Sequence, residues 1–291
     1  MFRLSVITDE ISQDLDIALQ LAKEYGLDAI ELRTAYDKGP FDFSAEDMGN
    51  MAAKIRAAGL AVSAISAPVF KCGIHNTDEL ALHSKGLDNC IRLADKLGTD
   101  TIRSFAFWKE GPLDDALALI AERYQEPIRK VKNAGMRLAL ESDPSVYTRG
   151  AHELKKVLDS IGCAQVGALW DPGNNIYSPD AEIPYPNGYE MIKNNLFHVH
   201  LKDAVLDENG LPVGCVFGGG LVDFKGQLTA LAADGYTGYL AVETHYRHSS
   251  VLSKESLERP GGSAFSQDGY APTRECLQAL QTKLKEWGLN A

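Results

Sequence analysis

Four residues able to bind a cation or move a proton recur at equivalent places. Glu141 follows Leu138-Ala139-Leu140, and Asp171 follows Ala168-Leu169-Trp170 and opens Asp171-Pro172-Gly173-Asn174. His200 lies within His198-Val199-His200-Leu201-Lys202-Asp203, and Glu243 follows Leu240-Ala241-Val242. Each short apolar run reads as a buried strand, so each of these residues closes one. Alone, any of them is an ordinary turn former or helix cap. Gathered in one pocket, three carboxylates would repel strongly unless a cation held them together. Two Glu, one Asp and one His make an oxygen-rich donor set with a single imidazole, which suits Mn²⁺ first, with Mg²⁺, Co²⁺ or Zn²⁺ as alternatives. A divalent ion beside carboxylates suits removal of a proton from carbon next to a carbonyl, because the ion stabilises the ene-diolate charge.

The elements that must position these residues follow a weak repeat, in which an amphipathic helix stops at glycine and a short aliphatic run follows. Glu24-Tyr25-Gly26 leads to Ala29-Ile30-Glu31-Leu32, Ala58-Gly59 to Leu60-Ala61-Val62, Leu97-Gly98 to Thr101-Ile102, and Ala134-Gly135 to Arg137-Leu138. Gly162 and Gly235 continue the series. Glycine suits the stop because it takes the left-handed conformation without steric cost. The repeat predicts strands near residues 2–7, 29–33, 60–66, 100–106, 136–141, 165–170, 196–201 and 238–243. Clear helices are expected over Leu15–Tyr25, Ala45–Ala58, Glu79–Leu97, Leu113–Asn133 and Arg274–Trp287. Eight βα units point to an α/β fold, a single (β/α)8 TIM barrel over residues 1–291, in which the ends of strands five to eight are neighbours. An open doubly wound sheet is the alternative, but its G-x-G-x-x-G fingerprint is absent where strand one meets Thr8-Asp9-Glu10. Two long loops, Pro172 to Pro186 and His245 to Pro272, follow strands and so belong to the carboxyl-terminal face as candidate lids.

Other residues near strand ends are candidates for holding substrate. His198 and Lys202 share the side of His200 by the two-residue period of a strand, and His198 also suits a hydrogen-bonded interior place. Lys202 could neutralise an enolate or hold an anionic group. Asn174 could meet hydroxyls, His75 and Arg103 lie near the ends of strands three and four, and His245 sits just beyond Glu243. The amides of Gly218-Gly219-Gly220 could cradle a phosphate, since barrel phosphate sites often follow strands seven and eight.

Over nearly its whole length the sequence resembles the sugar phosphate isomerase/epimerase family of xylose-isomerase-like barrels. The resemblance rests on Leu140-Glu141, Trp170-Asp171-Pro172-Gly173-Asn174, His198-Val199-His200-Leu201-Lys202-Asp203 and Val242-Glu243. It implies that Glu141, Asp171, His200 and Glu243 bind one divalent metal and that Glu141 and Glu243 act as acid and base. An isomerase or epimerase of a sugar, sugar phosphate or related keto-sugar is the activity expected. A lyase or dehydratase at the same site is the nearest rival. The sequence departs from the family's ketose 3-epimerases at three places, with Asn174 for a histidine, Tyr147 for a glutamate and Leu206 for an arginine. These departures count against 3-epimerisation of free ketoses and leave acidic or phosphorylated sugars, inosose-like cyclitols and oxidised glycosides open.

Composition excludes several other classes. The 45% hydrophobic and 24% charged residues rule out disordered and fibrous chains. The 40 acids outnumber 29 lysines and arginines for a net charge of −11, which opposes nucleic acid and anionic membranes. With only seven histidines, a multi-zinc phosphoesterase like the barrel endonucleases is disfavoured, and a non-catalytic sugar-binding barrel is separable by metal analysis. No signal peptide or spanning segment is evident, and five scattered cysteines suggest a reducing cytoplasm. The expected partner is a small carbohydrate-like molecule, and assembly into a homo-oligomer stays open.

Overall fold

In the computed structural model, which describes residues 2–178, 180–249 and 251–289, the expected apolar runs become strands of one parallel sheet. Met1, at the edge of the predicted first strand, and Pro179 and Ser250, within the two long loops, lie outside the described residues, as do Asn290 and Ala291. The strands are β1 (Arg3–Val6), β2 (Ala29–Leu32), β3 (Ala61–Val69), β4 (Thr101–Ser104), β5 (Arg137–Glu141), β6 (Val166–Trp170), β7 (Leu196–Leu201) and β10 (Tyr239–Val242). Their lateral order is β1-β10-β7-β6-β5-β4-β3-β2, and a parallel bridge between Ile7 and Glu31 brings the two edges together. This is the (β/α)8 barrel. An antiparallel hairpin, β8 (Asp203–Leu206) with β9 (Pro212–Cys215), intervenes before the last barrel strand and was not anticipated from the sequence.

The helices are α1 (Leu15–Glu24), α2 (Ala45–Ala58), α3 (Thr77–Leu97), α4 (Leu113–Arg123), α5 (Gln125–Asn133), α6 (Ala151–Ile161), α7 (Pro172–Ile176) and α8 (Tyr189–Ile192). They continue with α9 (Phe224–Ala233), α10 (Lys254–Glu258), α11 (Gly262–Ser266) and α12 (Tyr270–Glu286). Local chemistry sets their limits. Ser44 and Asp47 form a reciprocal capping box at the start of α2, and Gly59 ends it at φ 73°. Helix α1 buries Leu15, Ala18, Leu19 and Ala22, which recur every three or four residues and face the barrel. Each such leucine contributes roughly 1.5–3 kcal/mol by burial.

The helix expected over Leu113–Asn133 divides at Tyr124. Pro127 has no N–H to donate to the carbonyl of Arg123, and the buried Tyr124 hydroxyl instead donates to Phe105 O at 2.8 Å. Helix α12 starts four residues before the expected Arg274. The long 245–272 segment folds partly into α10 and α11. Among the described residues, no helix is long and apolar enough to cross a membrane.

Candidate active site

Parallel register brings the predicted strand ends together. Glu141 is opposite Leu169 on β6, and His200 on β7 is opposite Ala241 on β10, two residues before Glu243. The result is a buried cluster in which Glu141, Asp171, His200 and Glu243 each offer a ligand atom within 4.8 Å of the others. His200 Nδ1 lies 3.4 Å from both Glu141 Oε1 and Glu243 Oε2 and has no hydrogen-bond partner. Asp171 caps α7, its Oδ1 accepting from the N–H of Gly173 at 2.9 Å and of Asn174 at 3.3 Å, while Oδ2 meets Lys202 Nζ at 2.6 Å. Gly173 is required here, because a Cβ would strike the backbone carbonyl of Lys202. The donor set therefore fits a divalent cation: three carboxylates and one imidazole nitrogen without a partner face a common point.

The remaining atoms of these groups are tied down by neighbours. Glu243 Oε1 accepts from Arg33 Nη1 at 2.7 Å, and its Oε2 accepts from Lys202 at 3.0 Å. Each nitrogen of Arg33 is engaged, since its Nε and Nη2 also donate to Asp9 and Glu10 at 2.8 Å. On the other side, Glu141 Oε2 accepts from Arg103 Nη1 at 3.1 Å, and Arg103 Nη2 donates to Ser66 O. Each glutamate thus has one oxygen on a buried arginine and the other toward His200. Across the barrel from β2, Glu31 reaches His198 Nε2 at 2.6 Å and His200 Nε2 at 3.0 Å. An ionised Glu31 accepts from both rings, which fixes the His200 tautomer with Nδ1 toward the cluster.

Electrostatics follow from burial and crowding. Burial pushes the Asp171 carboxyl up to about 7 against the pull of Lys202, and the charges of Glu243 and Glu141 add to the rise. Burial also disfavours a charged His200, yet the charge of Glu31 and the nearby carboxylates of Glu141 and Glu243 outweigh it and hold the imidazole well above its ordinary value. For Glu243 burial is likewise outweighed, by Lys202 and His245, and its carboxyl lies well below the usual range. Among the described residues, buried carboxylates outnumber buried lysines and arginines eight to five, an imbalance that a divalent ion would relieve.

Above the cluster is a cleft of about 560 Å³ whose lining includes Glu141, Glu243, Lys202, Asn174, Arg103 and His245. Both long loops reach it: Asn174 and Tyr177 come from the first, and α10 with Arg259 and Pro260 from the second. Asn174 Nδ2 donates to Ser142 O at 2.8 Å, and His245 Nε2 lies 3.3 Å from Glu243 Oε1. Two predicted substrate contacts are elsewhere. His75 is solvent-exposed outside the cleft lining, because the chain turns away after β3 toward the start of α3. His198 is buried beneath His200 and occupied by Glu31, two residues too deep on β7 to reach the cleft.

The glycine run also departs from expectation. The amides of Gly218 and Gly220 donate to Asp203 Oδ2 at 3.0 and 2.9 Å, and Val222 N donates to Asp203 Oδ1, so an internal carboxylate occupies the cradle. Asp9, Glu10, Glu31, Arg33, Lys71 and Asp143 were not singled out from sequence. Lys71 pairs with Asp143 at 2.7 Å on the cleft wall. The alternation of Glu31 and Arg33 along one face of β2 was the available signal for two of them.

Comparison with known proteins adds the following. A family model described as "Xylose isomerase-like TIM barrel" matches residues 19–268. Among solved structures, a xylose isomerase domain protein from Planctomyces limnophilus is similar at TM-score 0.73 and 16% identity, covering 99% of each chain. An L-ribulose 3-epimerase is similar at TM-score 0.72 and 19% identity, over 99% of this chain and 96% of that one. A probable 3-DHS dehydratase from Bacillus anthracis is similar at TM-score 0.70 and 15% identity, over 96% and 99%. At these identities the likeness is one of fold. A sequence search of curated proteins finds no match.

Proposed function

Because the chain belongs to the xylose isomerase-like TIM barrel family, we propose that it is a divalent-metal-dependent isomerase or epimerase of a sugar, sugar phosphate or related keto-sugar. The observation that carries this reading is the convergence of Glu141, Asp171, His200 and Glu243 at the floor of a cleft of substrate size. These four residues would hold the ion, with Mn²⁺ assigned first from the oxygen-rich donors. When bound, such an ion supplies Lewis-acid stabilisation of negative charge developing on a substrate oxygen.

The protein's own groups do the proton transfer. Glu141 and Glu243 each keep one oxygen on an arginine and turn the other toward the cluster, so their positions are held through the reaction. One carboxylate takes a proton from the carbon beside the carbonyl, and the other returns one. Return to the same carbon from the opposite face epimerises, whereas return to the former carbonyl carbon, with the hydroxyl proton of the neighbouring carbon passing to the former carbonyl oxygen, isomerises. Lys202, between Asp171 and Glu243, places an ammonium where it offsets charge on the substrate oxygens. Arg103, Asn174 and His245 are the proposed substrate contacts on the wall.

A second reading, loss of a β-hydroxyl in a lyase, is supported by the 3-DHS dehydratase on the same fold and by the three departures from ketose 3-epimerases. Of those positions, Tyr147 is buried and Leu206 is 52% exposed on the hairpin, so neither supplies the polar group that ketose binding uses in the family.

The test is proton exchange in deuterated water, followed by NMR with Mn²⁺-loaded protein and a panel of keto-sugars. Deuterium at a retained C–H supports isomerisation or epimerisation, and time-dependent loss of water supports the lyase. Glu141→Gln and Glu243→Gln should each lower turnover by about 10²–10⁴-fold. Wild-type turnover in either variant, at normal metal content, would overturn the two-glutamate mechanism.

A further inference from the structure

The charge on the cleft runs against the charge of the molecule. The chain carries −11 overall, yet the cleft lining holds six lysines and arginines against four acids. Four of those cations have ion-pair partners: Lys71 with Asp143, Arg103 with Glu141, Lys202 with Asp171 and Glu243, and Lys254 with Glu258. The other two, Lys109 and Arg259, have no carboxylate within 4.0 Å among the described residues.

Both line the cleft and are solvent-exposed, with Arg259 seated on the residue next to Lys109 in the chain. Lys109 follows Trp108 on a segment pinned by backbone bonds from Trp108 N to Cys72 O at 2.9 Å and from Lys109 N to Ser145 O at 3.1 Å. Arg259 ends α10, and its guanidinium lies over the Trp108 ring at 5.3 Å from the centroid. Stacking on an indole leaves the in-plane N–H donors of an arginine open to a second partner. The usual alternative for holding an anion in this fold, the amides after β7, is already filled by Asp203.

We infer that the substrate carries an anionic group, a carboxylate or phosphate, gripped in the cleft by Arg259 and Lys109 while its carbonyl end lies over the cluster. The inference rests on the proposed isomerase reading for the orientation of substrate but not for the charge preference. A planar guanidinium matches the oxygens of either anion by paired N–H donors, and Lys109 adds a second charge.

The test compares binding, by calorimetry on Mn²⁺-loaded protein at low salt, of D-fructose, D-fructose 6-phosphate and D-fructuronate. At least one anion should bind about tenfold or more tightly than the neutral sugar, and which one does so distinguishes phosphate from carboxylate. Arg259→Met and Lys109→Met should each remove about threefold or more of that preference while leaving melting temperature and metal content unchanged, and Arg259→Lys should restore part of it. Equal binding of all three sugars, no detectable binding of either anion, or an undiminished preference in Arg259→Met would overturn the inference. Deuterium exchange is scored separately. Exchange with the neutral sugar alone would overturn the charge preference and leave the isomerase reading standing, whereas anion-selective binding without exchange on any compound would do the reverse.

Discussion

At the scale of single residues, Glu31 illustrates how a group outside the cleft lining can orient a side chain of the cluster. Its two oxygens hold His198 and His200, so the donor nitrogen of His200 faces the cluster only while Glu31 accepts from the other side of the ring. Partners of this kind typically change metal affinity 10–100-fold. Glu31→Gln is therefore expected to weaken Mn²⁺ binding by about that factor, read by competition with a chelator of known affinity. Unchanged affinity would remove Glu31 from the metal site. The same cluster predicts a pH dependence. With Asp171 at about 7 and His200 well above its ordinary value, the metal-free site holds protons at neutrality that an entering ion must expel. Raised proton affinity means that metal affinity climbs with pH, so displacing the Asp171 proton alone should make uptake roughly tenfold weaker at pH 6 than at pH 8, a still-protonated His200 should deepen the difference, and unbuffered titration should show proton release. A flat affinity between those values would contradict it.

At the scale of elements, Asp203 joins the β8–β9 hairpin to the glycine run. It accepts from the N–H of Ala204, Gly218, Gly220 and Val222, four bonds from one buried carboxylate. Gly220 admits the contact because a Cβ there would overlap Asp203 Oδ1. Asp203→Ala leaves those amides without an acceptor, at a cost of about 1.5–3 kcal/mol. Amide hydrogen exchange should speed up at Gly218, Gly220 and Val222 first, and unaltered protection there would show that another group holds the loop. Sequence alone could not distinguish this arrangement from a phosphate cradle, because both need glycines with free amides. The division of α4 from α5 was legible in principle from Pro127, whereas the amphipathic pattern continues across it and masks the break.

At the scale of the molecule, the buried excess of carboxylates means that a divalent ion held at the cluster would stabilise the fold. A ligand that binds only the folded state at 100 times its dissociation constant contributes about 2.7 kcal/mol. For a chain of this size that corresponds to a rise in melting temperature of roughly 5 °C on adding Mn²⁺, reversed by EDTA. Equal melting temperatures with and without chelator would contradict a folded-state metal site.

The sequence by itself determined the barrel and the four strand-end residues, because hydrophobic runs, glycine helix stops and polar residues at strand ends are local signals. It did not reveal Glu31 and Arg33 as site residues. Along Ile30-Glu31-Leu32-Arg33 the two charged residues share a face, as strand periodicity requires, and in a linear chain such a face reads as solvent-exposed. Closure of the barrel, with Ile7 bridged to Glu31, turns that face inward, where Glu31 meets two histidines and Arg33 meets three carboxylates. The same closure decided that His198 lies buried below the cleft lining and that Arg259, far along the chain, stacks on Trp108. Which side of a strand is interior, and which distant charges meet there, depends on contacts between segments that no local pattern encodes.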